Sequence, residues 1–244
     1  PSDVVQFPKF PKLTAAAQTQ GVDMTNSAFS PTNVNATAAL SGVMITLMDA
    51  FTNSDILGDI TPYATELGKA LAEKIDTDVL AEAADFATSV GTTGADLTFS
   101  QFLSALYELL NGKATGPYAG ILHPIQKHDL RLNVMTAASA IWGAQPGGAG
   151  SFAPVPGVPE VFMGVLLYES IAAASVNADA DRQGYVGPMG PACGLIYAEK
   201  WAPRVEPQRD ASKIGTELVA SAYYADENAN TAANGGVKIV TDHE

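Results

Sequence analysis

Residues 61–87 read TPYATELGKALAEKIDTDVLAEAADFA, and their spacing decides the fold. Apolar side chains recur at Ile60, Tyr63, Leu67, Leu71, Ile75, Val79, Ala83 and Phe86. Steps of three and four place them along one face of an α-helix. Thr61 ahead of Pro62 reads as a hydroxyl cap followed by proline at the first helical position. The opposite face carries Glu66, Lys69, Glu73, Lys74, Asp78, Glu82 and Asp85, with Lys74 and Asp78 spaced as an ion pair. Such a helix runs roughly 40 Å, about twice the ordinary length. A single long helix with one apolar stripe is a strut for sheets to dock on, and it predicts an elongated protein.

Upstream of the strut, no Lys or Arg occurs between Leu13 and Gly68. Residues 1–13 read as an extended arm, because Phe7-Pro8-Lys9-Phe10-Pro11 cannot be helical. Residues 14–50 read as a long hairpin, with extended segments near Gly21–Asn26 and Asn33–Met48 about the turn Ser27-Ala28-Phe29-Ser30-Pro31. The apolar run Val43-Met44-Ile45-Thr46-Leu47 predicts that something covers the far strand.

Downstream, Gly91-Thr92-Thr93-Gly94 is a break, and Thr98-Phe99-Ser100-Gln101 fits a capping box. The box opens a helix through Asn111-Gly112, with Phe99, Phe102, Leu103, Leu106 and Leu110 predicted inward. Tyr118–Leu122 reads as a buried strand, and His123-Pro124 as the lead into a helix through about Met135. Glycines and prolines over 143–159 predict a surface loop. Extended segments are expected at Val161–Tyr168, Gly194–Ala202, Glu217–Tyr224 and Val237–Thr241. Pro207 predicts a turn or hairpin tip over Arg204–Asp210. The whole pattern is α+β, with no βαβ rhythm.

Composition narrows function. The 244 residues carry 13 basic against 26 acidic side chains, a net charge of −13, which opposes direct reading of nucleic acid. One cysteine, Cys193, excludes an internal disulfide and reads as a small buried apolar residue. No apolar run reaches the roughly 20 residues of a membrane span. Pro1-Ser2-Asp3 has no signal-peptide pattern and fits either methionine removal or a processed end. Asn177 with Asp179-Ala180-Asp181 lacks the glutamate of a calcium loop and reads as a solvated turn. His123, His128 and Asp129 lack further metal partners, with His243 in the tail. Gly147-Gly148-Ala149-Gly150 lacks the Lys-Ser/Thr of a phosphate loop. Ser100, Ser139 and Ser170 stand in no nucleophile elbow. The sequence predicts no catalytic residue, cofactor or metal.

Read in order, the motifs resemble one family. Leu67-Gly68-Lys69-Ala70-Leu71-Ala72-Glu73-Lys74-Ile75-Asp76 is followed by Gly116-Pro117-Tyr118, Leu122-His123-Pro124, Asp129-Leu130-Arg131 and Gly164-Val165-Leu166-Leu167-Tyr168-Glu169-Ser170. The chain closes on Glu199-Lys200-Trp201, Arg204-Val205-Glu206, Gln208-Arg209-Asp210, Gly215-Thr216-Glu217, Tyr223-Tyr224 and Val237-Lys238-Ile239-Val240-Thr241. This ordered set resembles the tailed-bacteriophage major capsid proteins of the Hong Kong 97-like fold, a fold shared with encapsulins.

The resemblance implies an N-terminal arm (1–13), an E-loop hairpin (14–50), a peripheral domain with a spine helix (51–95 and 200–225) and an axial domain (96–199 and 226–244). It implies a self-assembling subunit of an icosahedral virion capsid, built as hexamers and pentamers in the host cytoplasm. Such a shell encloses double-stranded DNA without reading its sequence and touches no membrane. Scaffolding, portal and decoration proteins are the further partners implied. The shortness of the chain implies a separate scaffold or a propeptide lost before Pro1.

Intersubunit contacts are expected from Phe7 and Phe10 of the arm, Phe29 and Pro31 of the hairpin, and Arg204, Glu206, Arg209, Asp210 and Lys213. The last group corresponds to the peripheral-domain loop that meets its symmetry mates where capsomers join, with Arg209 reaching a neighbour's carboxylate. Leu166-Leu167 departs from the Pro-Val of many members. The lysine-free hairpin excludes a lysine–asparagine cross-link from that loop. An encapsulin-like compartment and a soluble α+β enzyme with an unrecognised site stay open as alternatives.

Overall fold

The computed structural model describes residues 3–10, 13–24, 26, 28–49, 60–141, 160–176 and 180–242. The loop expected over 143–159, His243 and the Asn177–Asp179 part of the acidic turn lie outside the described residues.

Helix α1 spans Thr61–Ala81, followed by a 3₁₀ turn at Glu82–Asp85. It is shorter than its periodicity predicts, roughly 30 Å. Tertiary partners set its end: Asn228 Nδ2 donates to the Glu82 carbonyl at 3.2 Å and Lys238 Nζ to that of Ala84 at 2.8 Å. The start also differs from expectation. Ile60 is the cap residue and makes no side-chain bond, so Thr61 and Pro62 are the first helical residues. The Lys74–Asp78 pair forms as the spacing predicts.

One face of α1 packs on a three-stranded antiparallel sheet of order β10-β11-β3, formed by Leu195–Asp210, Gly215–Asn228 and Ala39–Met48. Leu67 and Leu71 meet Leu47, Leu218, Ala220, Ala222 and Tyr224 in a common core. Each buried leucine contributes about 1.5–3 kcal/mol. Thus β3 is covered on that side by its own chain. Arg204–Asp210, expected as a hairpin tip, is instead the second half of β10, and the turn falls at 211–214. Pro207 is tolerated because β10 is an edge strand.

The expected hairpin exists with a different first strand. β1, Val4–Lys9, pairs antiparallel with β2, Thr32–Thr37, from Val4↔Thr37 to Lys9↔Thr32. Residues Gly21–Met24 form no strand. The arm is therefore one side of the hairpin, and Ala38 N donates to the Asp3 carbonyl at 2.7 Å where β2 passes into β3. The hairpin also gains a lysine, Lys9, whose Nζ donates to Asn230 Oδ1 at 3.3 Å. Residues 14–50 themselves contain no lysine.

The remaining chain builds a mixed seven-stranded sheet. Its order is β4 (Ser89–Val90), β12 (Val237–Asp242), β9 (Asp181–Pro188), β5 (Tyr118–Leu122), β7 (Val165–Glu169), β6 (Glu160–Phe162), with β8 (Ser175–Val176) beside β9. Helices α2 (Phe99–Asn111) and α3 (Pro124–Ile141) complete this unit. The capping box forms in full, Thr98 accepting from Gln101 N and Gln101 from Thr98 N. The inward face of α2 is Phe102, Ala105 and Leu109, while Leu110 is exposed.

Three readings change here. Val161–Tyr168 is a tight hairpin through Met163 and Gly164, not one strand. Asp181, read as part of a solvated turn, is fully buried at the start of β9 and accepts from Gly94 N at 2.9 Å. β5 and β7 pair in parallel across α3, so one helical crossover interrupts an otherwise α+β arrangement. Cys193 is half-buried beside the Tyr185 hydroxyl, 3.3 Å away.

Candidate intersubunit surface

The residues singled out as contacts fall in two groups, both attached to the three-stranded sheet. The first is the hairpin. Phe7 is half-buried in its own chain, packed with Val5 and Tyr223 against Ala36, Ala38 and Ala225. Phe10 and Phe29 remain largely exposed and stack on each other at 6.0 Å and 13°, which closes the base of the long loop between β1 and β2. Pro31 is exposed just ahead of β2. The arm is held from below by the Lys200–Asp3 ion pair, and the lysine's donated hydrogen bond keeps the Asp3 carboxyl below the usual range.

The second group lies on β10 and the turn after it. Arg204 stands over the Trp201 ring at 5.0 Å and pairs with Glu206 at 3.3 Å. Arg209 forms a bidentate fork on Asp49, Nη1 to Oδ1 at 2.5 Å and Nη2 to Oδ2 at 2.6 Å. That bond holds the Asp49 carboxyl below its ordinary value and raises Arg209. Within its own chain, this fork ties the end of β10 to the end of β3 across β11.

Asp210 turns inward on its own loop and accepts from Ser212 N at 2.9 Å and Ser212 Oγ at 2.6 Å. Lys213 reaches Glu217 at 2.6 Å and Asp210 at 3.6 Å. Apart from the buried Glu217 these groups are at least partly exposed, and exposed pairs orient a turn more than they stabilise it.

Sequence reading missed the outer face of the sheet. Leu40, Met44 and Met48 of β3 are exposed at 64%, 54% and 59%. Register aligns them with Tyr223, Val219 and Gly215 of β11, and Trp201 of β10 lies beyond Tyr223. The signal was the period-two phase of β3. It was masked because Val43, Ile45 and Leu47, the inward phase, are equally apolar.

A carboxylate cluster was also missed. Glu82, Asp85 and Glu227 each bring an oxygen within 4.8 Å of the others. Burial, then the charges of Glu227, Asp226 and Asp85, push the Glu82 carboxyl up.

No protein-family model and no curated protein matches the sequence. Solved structures do match. The chain is similar to a structure of Mycobacterium phage Che8, with 19% identity and a TM-score of 0.72, over 98% of this chain and 85% of that one. It is similar to the capsid structure of the cyanophage P-SCSP1u, with 14% identity and a TM-score of 0.71, over 100% and 85% of the two chains. The chain has the phage capsid fold.

The same capsid fold reaches a virus-like particle from Pyrococcus furiosus, with 11% identity and a TM-score of 0.61, over 98% and 86%. Within this capsid fold, the hairpin, the β10–β11 turn and the outer sheet face each hold apolar or charged groups in solvent. None of the described residues forms a helix long and apolar enough to cross a membrane.

Proposed function

We propose that this chain is a major capsid protein, the structural subunit of a closed icosahedral shell that encloses phage double-stranded DNA. The observation that carries the reading is coverage: the likeness to a cyanophage capsid spans the whole chain, arm and hairpin included. In this reading the protein's role is structural rather than catalytic.

The three-stranded sheet with α1 serves as the peripheral domain, the seven-stranded sheet with α2 and α3 as the axial domain, and the β1–β2 hairpin as the E-loop. Phe7, Phe10, Phe29, Pro31, Arg204, Glu206, Arg209, Asp210 and Lys213 contribute contacts between copies in hexamers and pentamers. Portal, scaffolding and decoration proteins complete the virion, which assembles in the host cytoplasm. Electron microscopy of the purified protein tests the proposal: closed shells are expected, and a folded monomer as the only species under virion-preserving conditions would refute it.

The likeness to a virus-like particle supports a shell even if the contents differ. Extracted DNA identifies a phage head, whereas an enclosed enzyme identifies a compartment.

The fork on Asp49 yields a sharper expectation for Arg209. Arg209→Ala should leave circular dichroism unchanged and lower the yield and salt tolerance of shells. If the fork acts by aiming the turn, Asp49→Asn should reproduce the defect. A normal Asp49→Asn shell beside a defective Arg209→Ala shell would mean that the arginine acts on a neighbour directly.

A further inference from the structure

The turn between β10 and β11 places Ile214 with its side chain 65% exposed and its φ at 48°. We propose that Ile214 is an apolar contact residue held out for a second copy of this chain, an inference that rests on the shell-forming reading above. A β-branched side chain crowds its own backbone in the left-handed region, where glycine or asparagine sits with little or no strain. A glycine stands one position later, but packing requires it there. A Cβ on Gly215 would meet the Leu47 carbonyl oxygen at 2.6 Å. The left-handed position is therefore left to an isoleucine that the fold does not bury.

The turn has no freedom to relax around it. Asp210 clamps Ser212, and the Ile214 carbonyl accepts from Asp49 N at 3.0 Å. Met163 makes the contrast. It has a φ of 50°, but the two-residue turn it forms with Gly164, at 81°, demands left-handed geometry at both places. Ile214 likewise closes a four-residue turn, donating its N–H to the Ala211 carbonyl at 3.4 Å, but unlike Met163 it is branched at Cβ, so the turn explains its φ and not the choice of side chain. Strain kept at an exposed apolar position points to something outside the fold that the side chain meets.

The charge balance of the tip suits a second copy as the occupant. A chain of net charge −13 repels its own copies. At this tip, however, Arg209 is paired with Asp49, and Lys213 with Asp210 and Glu217. Five charges there sum to −1 (two positive, three negative). The tip approaches another copy at little electrostatic cost and offers no excess charge to a strongly basic or acidic partner.

The test uses the full chain with Ile214→Asn and Ile214→Val. Asparagine tolerates the left-handed position, so the dissociated subunit should keep its Tm or gain about 2–4 °C. Shell yield at fixed concentration should fall at least about tenfold, the effect of losing one interfacial anchor. Valine keeps both the branch and the apolar surface and should assemble within about twofold of the parent, since it loses a single methylene. Equal shells from the parent and the asparagine variant would overturn the assignment of Ile214 alone. So would a fall in subunit Tm, because the side chain would then serve the fold. Failure of the parent chain to form shells would instead refute the shell reading.

Discussion

Phe86→Ala should destabilise the subunit by about 3–5 kcal/mol, the range for emptying a well-packed aromatic site. Phe86 is 1% exposed, immediately after the 3₁₀ turn that ends α1. Its ring stacks on Tyr185 of β9 at 5.1 Å and 20°. Two glycines exist to admit it: a Cβ on Gly194 would lie 2.5 Å from the ring, and one on Gly236 2.7 Å. Backbone that close cannot collapse into the space the ring leaves, so the cavity should persist. The ring also joins the end of the strut to the seven-stranded sheet, and its loss should loosen one unit from the other. Urea unfolding measures this as a lower midpoint. A loss below about 1 kcal/mol would show that the site repacks.

Removing residues 1–9 should have the second-largest effect, confined to one region. β2 has β1 as its ladder partner along Thr32–Thr37, and a lone strand is not stable in water. Without β1, amide exchange across 32–37 should accelerate by about 100-fold or more, toward loop rates. The β3–β11 ladder, from Gly215↔Met48 to Tyr224↔Ala39, should stay protected because α1 still covers it. Shell formation should be lost with the hairpin. Unchanged protection at 32–37 would mean that β11 alone holds β2 in place.

Local signals were legible, and pairing partners were not. The capping box at Thr98, the strand Tyr118–Leu122 and the inward stripe through Leu67 and Leu71 depend on neighbours in the sequence, and each stands where its residues put it. The first strand of the hairpin was misplaced because the prolines at 8 and 11 marked residues 1–13 as an extended arm, and no local signal names an arm's ladder partner. An edge strand tolerates proline wherever its N–H would face solvent, and the same rule misled the reading of Pro207. On α2, adjacent Leu109 and Leu110 differ by about 100° around the axis, so composition cannot choose between them. The end of α1 was illegible for a different reason. Glu82-Ala83-Ala84-Asp85 is good helix sequence, and its carbonyls are taken by Asn228 and Lys238 from the far end of the chain.

The contact residues were chosen by type and location, so their partners were invisible. Arg209 and Asp49 are 160 positions apart, and nothing in either neighbourhood announces the fork.

The long outer margin of β10 has a consequence for how the protein survives before it is used. Sixteen residues of edge strand, Leu195–Asp210, present about 50 Å of backbone for another chain to extend. In the proposed capsid role, subunits accumulate unassembled at concentrations where such margins recruit each other into fibres. Pro203 and Pro207 each lack an N–H to offer, and the register shifts between Glu199 and Trp201 and between Trp201 and Arg204 break the line of that margin. The strand is a poor template for its own kind. A waiting pool of chains is thereby kept soluble until a different geometry, slower and more exacting, brings the copies together.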